Sequence, residues 1–208
     1  MLLAKNISFQ YPSGPSFQFP TITCGKNEKL LILGESGKGK TTLLHLLAGL
    51  LQPTLGEIII NEQNTSAMSD AALDKFRGKN IGIIFQTAHF VEALNIEDNL
   101  IMPQYLTGLK QDRNKAKELL TRLNIADKGK KHPSQLSVGE AQRAAIARAV
   151  INNPPVILAD EPTSALDDKN AAEVIRLLEE QANATGAALI IVTHDQRLKD
   201  HFANQITL

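Results

Sequence analysis

The chain has 208 residues, of which 43% are hydrophobic and 21% charged, and its 22 basic side chains balance 22 acidic ones. That length suits one domain with a substantial core, and the composition is that of a globular protein rather than a disordered one. The absence of net charge removes the electrostatic argument for a long nucleic-acid footprint or for docking on an anionic membrane surface.

In chain order, residues 2–9 (LLAKNISF) read as a strand, YPSGPS as a turn, and residues 17–23 (FQFPTIT) as a second strand. Cys24 is the single cysteine, so no internal disulfide is possible, and a reducing compartment is the expected setting. KLLILG at 29–34 is an apolar run stopped by glycine, as a buried strand feeding a loop would be. TTLLHLLAGL then reads as a buried helix ending near Gly49, and EIII at 57–60 and IGIIFQ at 81–86 as further strands. From about residue 90 to 153 the pattern turns helical, with Ala116, Leu119, Leu120 and Leu123 on one face. A second helix runs from about Gly139 until NNPP at 152–155 breaks it. VILAD at 156–160 is a buried strand, and Ala171, Val174, Ile175 and Leu178 mark a helix closed by Gly186. The strand ALIIVT follows; like every apolar run here it falls short of the roughly 18 residues that cross a bilayer. The N-terminal apolar segment is too short for a signal peptide. Strands alternating with helices at both ends, around a helical insertion, predict an α/β fold with a parallel sheet.

GESGKGKT at 34–41 fits the phosphate-loop pattern and lies between a strand and a helix, as that pattern requires. Gly34, Gly37 and Gly39 let the backbone N–H groups of the loop, Glu35 and Ser36 among them, turn inward to phosphate oxygens. The helix that begins at Lys40, Thr41 and Thr42 adds the positive end of its dipole. Lys40 reaches the β- and γ-phosphates, and the Thr41 hydroxyl suits Mg²⁺. Lys38 is an additional cation of the loop whose side chain is expected in solvent. VILADEPTSALD at 156–167 supplies the other half of a nucleotide site. Asp160, at the carboxyl end of a strand, is expected to hold Mg²⁺ through water, and Glu161 to orient or deprotonate an attacking water. Together these motifs point to nucleotide hydrolysis without selecting a family.

The ordered set FQYP with Tyr11, the phosphate loop, IIFQ with Gln86, LSVGEAQR, ILADEPTSALD and VTHD with His194 resembles the ATP-binding cassette (ABC) ATPases over nearly the whole chain. The resemblance implies a phosphate-loop NTPase (RecA-like) core with an N-terminal antiparallel β subdomain and a helical subdomain inserted in it. Within a single cassette of residues 1–208, it implies core and β subdomain at about 1–86 and 154–208, and the helical subdomain at about 87–153. It also implies that ATP and Mg²⁺ bind, that Tyr11 stacks on adenine, and that Gln86 senses Mg²⁺ and the attacking water. Glu161 is implied as general base, His194 as a γ-phosphate contact, and Asp167 as an interface residue. For Tyr11 a second reading, a loop aromatic packed on the sheet, stays open.

LSVGEAQR departs from the family's LSGGQ signature at Val138 and Glu140 but keeps Ser137 and Gly139, a hydroxyl and a bare backbone N–H at a helix start. Glu140 is expected to complete a capping box with Ser137 rather than to face a phosphate. In the family the signature of one cassette faces the phosphate loop of another, which implies an ATP-dependent homodimer. It further implies separate transmembrane permease subunits that hold the chain on the cytoplasmic face of the membrane. IEDNLIMPQYLTG resembles a stretch of the macrolide-exporter and lipoprotein-releasing branch. An importer subunit, a cassette acting in DNA repair or translation, and a non-hydrolysing ATP-binding module are the competing readings. Against the repair cassettes, no sustained heptads separate Lys40 from Leu136.

Overall fold

The computed structural model describes residues 2–208, the side chain of residue 200 excepted. The first apolar run forms β1 (Leu2–Gln10). The stretch expected as a single second strand is split into β2 (Ser16–Gln18) and β3 (Ile22–Cys24), because Pro20 has no N–H to give a ladder. Both halves still pair antiparallel with β1 in one register, Ser8 opposite Gln18 and Ala4 opposite Ile22. Between them the Phe19 N–H reaches the Ile7 carbonyl at 2.9 Å, so the edge of β1 stays covered. Next, β4 (Lys29–Leu33) enters a different sheet, and α1 (Lys40–Leu47) follows its loop. β5 (Leu55–Ile60) and β6 (Gln63–Asn64) return to the antiparallel sheet, whose strand path is β2-β1-β5-β6 with β3 also on β1.

Residues 61–80, for which the sequence gives no clear periodic signal, contain α2 (Asp70–Asn80), which buries Leu73 and Phe76. β7 (Ile81–Ile84) then leads to three helices: α3 (Ile96–Leu106), α4 (Arg113–Arg122) and α5 (Val138–Val150). β8 (Val156–Asp160), α6 (Asp168–Thr185), β9 (Ala188–Thr193) and β10 (Gln205–Thr207) complete the chain. The second sheet is parallel throughout, in the order β10-β4-β9-β8-β7.

Both faces of this parallel sheet are covered, which is why its strands are uninterrupted apolar runs rather than alternating ones. Successive residues of a strand point to opposite faces. Accordingly Leu31 and Leu33 of β4, Ile157 and Ala159 of β8, and Leu189 and Ile191 of β9 pack with α3 to α6. Their neighbours Leu30, Ile32, Val156, Leu158, Ile190 and Val192 pack instead with α1 and the antiparallel sheet.

The conspicuous polar residues of IEDNLIMPQ serve the helical layer. Asn95 caps α3 by accepting from the Asp98 N–H at 2.8 Å. Asn99, fully buried, binds the 91–95 loop through four backbone contacts. Glu97 lies 2.9 Å from Arg113 and 3.1 Å from Lys130. Burial pushes its carboxyl up, but the two cations outweigh that and hold it below the ordinary value, tying α3 to α4 and to the segment before α5.

Candidate nucleotide site

Sheet order assembles the site. At the carboxyl ends of four adjacent strands lie the phosphate loop after β4, Thr193 and His194 at β9, Asp160 and Glu161 at β8, and Gln86 after β7. Ligands of open α/β sheets bind at that edge. A cavity of about 460 Å³ opens there, lined by Ser36, Gly37 and Gly39 to Thr42 of the loop, Gln86, Glu161 and His194, with Pro15 and Phe17 as its apolar wall.

Gly37 and Gly39 adopt left-handed φ of 84° and 87°. Gly34 does not; it is needed for space, since a Cβ there would lie 3.3 Å from the Leu208 carbonyl and 3.6 Å from the Lys40 stem. Gly39 is the cap of α1 and no side chain caps that helix, so its first N–H groups are free for an anion. Lys40 is buried; its ammonium donates to the Gly34 and Glu35 carbonyls at 2.8 and 3.1 Å and lies 3.7 Å from Glu161. Lys38 and Glu35 line the neighbouring cavity of about 570 Å³ rather than this one, and Gly34, Ser36 and His194 border that cavity too.

Thr41 Oγ1 donates to Asp160 Oδ1 at 3.4 Å. Asp160 is buried with that one donor among the described residues, and burial, reinforced by Glu161, pushes its carboxyl above the ordinary value. A buried carboxylate with spare acceptor capacity beside a hydroxyl oxygen is a donor set of the kind Mg²⁺ takes, so the residues fit that ion.

Glu161 has φ 46°, unusual for a residue with a side chain. Its N–H continues the sheet to Val192 O at 2.9 Å while the carboxylate turns into the site. Oε1 is 2.8 Å from His194 Nδ1, so the imidazole carries its proton on that nitrogen, because a carboxylate only accepts. The Gln86 amide donates to Ser164 Oγ at 3.2 Å, and Ser164 Oγ to the Glu161 carbonyl at 3.1 Å, which ties β7 to the segment after β8.

Tyr11 adjoins Thr42 and Phe17 of the cavity without lining it. Its hydroxyl is 3.2 Å from Thr42 Oγ1, its ring meets Phe9 edge-on at 4.7 Å, and Phe17 lies 6.4 Å away. Ser137 and Gly139 line neither cavity. Ser137 accepts from the Glu140 N–H and Glu140 from the Ser137 N–H, at 3.3 and 2.8 Å, the expected capping box. Lys128 adds an ion pair to Glu140 at 3.2 Å. Asp167 caps α6 through the Asn170 N–H at 2.9 Å. Sequence reasoning passed over Phe17, Thr193 and Arg148. Arg148 spans from α5 to the His89 carbonyl at 2.5 Å and lies 4.6 Å over the Phe90 ring. Thr193 sits inside the quoted VTHD, but its contact with Glu161 exists only once β8 and β9 pair.

A family model described as ABC transporter matches residues 18–164. The chain belongs to the ABC transporter family. It is 41% identical over 198 residues to the lipoprotein-releasing system ATP-binding protein LolD of Buchnera aphidicola subsp. Acyrthosiphon pisum (strain APS), covering 94% of this chain and 81% of that protein. Among solved structures it is similar to the dimeric post-hydrolysis state of the ATP-binding cassette MJ0796 bound to ADP and Pi. That match has a TM-score of 0.91 and 32% identity, and covers 100% of this chain and 94% of the other. It is also similar to cbiO1 from Clostridium perfringens, part of the ABC transporter complex cbiONQ. There the TM-score is 0.87 and the identity 27%, over 99% and 83% of the two chains. This ABC cassette is therefore an ATPase of the transporter type, with the α/β fold its motifs implied. No helix among its described residues is long and apolar enough to cross a membrane.

Proposed function

We propose that this cassette powers a separate membrane permease by ATP-driven pairing of two copies, in a system of the lipoprotein-releasing or exporting type. The identity to LolD supports the branch. The observation that supports the pairing is that Ser137 and Val138 are exposed and Ser137 and Gly139 line neither cavity, so the signature of this chain does not reach its own phosphate loop. The signature of a second copy, with the hydroxyl of Ser137 and the N–H of Gly139 at a helix start, is suited to close the site. On this reading residues 87–153 form the inserted helical subdomain that faces the permease.

Glu161 is the general base. As water attacks the γ-phosphorus, its proton passes to the Glu161 carboxylate, the bond from phosphorus to the bridging oxygen breaks, and ADP leaves with that electron pair. Lys40 and the loop N–H groups stabilise charge on the phosphates. Bound through Thr41 and Asp160, with Gln86 beside them, Mg²⁺ would supply charge neutralisation. His194 orients Glu161 through Nδ1 and presents the rest of its ring to the γ-phosphate. Phe17 offers the flat apolar face to adenine, with Tyr11 beside it.

The test is Glu161→Gln with ATP and Mg²⁺, read by size and nucleotide content. Hydrolysis falls at least about 100-fold and a stable dimer with two ATPs accumulates. A strictly monomeric, ATP-loaded variant contradicts the sandwich. Copurification from native membranes with a permease supports transport; a ribosomal or DNA-bound pool without one contradicts it.

A further inference from the structure

Thr193 ends β9 with no solvent exposure, after the apolar residues Ala188–Val192. Apart from the Asp195 N–H, which it accepts, nothing in that enclosed strand position calls for a hydroxyl, and valine has the same shape and at least as strong a strand preference. A buried hydroxyl is costly unless it is bonded. Here Thr193 Oγ1 accepts from the Asp195 N–H at 3.0 Å, which turns its own proton to Glu161 Oε2 at 2.7 Å.

The two oxygens of Glu161 have different surroundings. Oε1 meets groups of the cavity wall, His194 Nδ1 at 2.8 Å and the Lys40 ammonium at 3.7 Å. Oε2 is bound on the enclosed side by Thr193, and the His194 N–H lies 3.1 and 3.3 Å from Oε1 and Oε2. Without the hydroxyl, Oε2 keeps only the 3.3 Å contact from the His194 N–H, which loosens the hold on Glu161 on a backbone already in the left-handed region.

We propose that Thr193 is a positioning residue of the general base beside His194: its hydroxyl pins Glu161 Oε2 so that Oε1 faces the attacking water. This rests on Glu161 being the base.

The full-length chain carrying Thr193→Val, Thr193→Ala, Thr193→Ser, Glu161→Gln or Glu161→Gln with Thr193→Val is assayed for kcat, KM, thermal midpoint and affinity for a fluorescent ATP analogue. Thr193→Val lowers kcat by about 10- to 100-fold while nucleotide affinity stays within about twofold. Thr193→Ser restores at least about half of the rate, since it keeps the hydroxyl. In the Glu161→Gln background, read by single turnover, Thr193→Val costs less than about twofold, because the group it acts through is gone. Thr193→Ala, also lacking the hydroxyl, gives the same pattern if the valine variant fails to fold. A kcat within twofold of wild type for both hydroxyl-free variants overturns the proposal, as does failure of serine to rescue, or an undiminished loss in the Glu161→Gln background. A Glu161→Gln chain that hydrolyses at the wild-type rate overturns the assignment of the base itself, and the proposal with it.

Discussion

At Gly39 a Cβ would come within 2.6 Å of the Phe17 ring, so glycine is required there by the aromatic that lies across the loop as well as by its left-handed backbone. Phe17 lines the cavity and Tyr11 does not. Phe17→Ala is therefore expected to weaken ATP binding by about tenfold through loss of the apolar face. Tyr11→Phe, which removes only the hydroxyl beside Thr42, changes it by less than about twofold. Fluorescent nucleotide titration checks both. Glu140 behaves as a helix residue. Its carboxyl is held below the ordinary value, first by the Ser137 N–H and then by Lys128. Glu140→Ala should lower stability by about 1 kcal/mol in denaturant titration, and Glu140→Gln, which retains the box, by less than half of that. The loop, Asp160, Glu161 and the capping box were legible in the sequence because each is a local pattern with local chemistry. Phe17, Thr193 and Arg148 were not, since their partners are 22, 32 and 59 residues away.

Between elements, Asp195 joins the turn after β9 to the segment after β8 and to α6. It accepts from Thr163 Oγ1 at 2.9 Å and from the Arg197 guanidinium, which also bonds Asp168 at the start of α6. Arg197 is the main cause that holds the Asp195 carboxyl down at about 2. The folded-state value lies below the unfolded value of about 3.9. The pair's contribution is thus complete above about pH 4 and is lost as pH falls toward 2. Arg197 is half-exposed, so solvent screening keeps the effect to about 1–2 kcal/mol. Asp195→Asn should lose that amount at neutral pH and flatten the unfolding curve between about pH 4 and 2, measured by chemical denaturation at a series of pH values. At this scale the parallel strands were legible, because burial on both faces leaves continuous apolar runs. The split of residues 17–23 turned on Pro20, whose missing N–H outweighs the strand-like composition around it. Helix α2 buries only Leu73 and Phe76, too few to print a period on a polar stretch.

For the molecule as a whole, the four strand ends bring the phosphate loop, Asp160, Glu161, Gln86 and His194 together, while the start of α5 with Ser137 and Gly139 lies outside both cavities. On the proposed reading the first lacks a cover for the γ-phosphate and the second a phosphate to bind. Two copies related by a twofold axis would satisfy both deficits at once. ATP at the joint would then shift the equilibrium from separate to paired cassettes, and hydrolysis would reverse it, which is how binding energy could drive a permease. The sequence pointed to this reading through the family resemblance, in which the signature of one cassette faces the phosphate loop of another, since this chain carries one of each. The most direct measurement is subunit mixing. Lys40→Ala and Ser137→Ala chains are each expected to be nearly inactive. Mixed in equal amounts under conditions that let cassettes exchange, they form heterodimers in which one site has both residues intact and the other lacks both. Random pairing then restores about a quarter of the wild-type sites, and ATPase activity reappears on mixing. Two inactive variants that stay inactive together would contradict a site shared between copies.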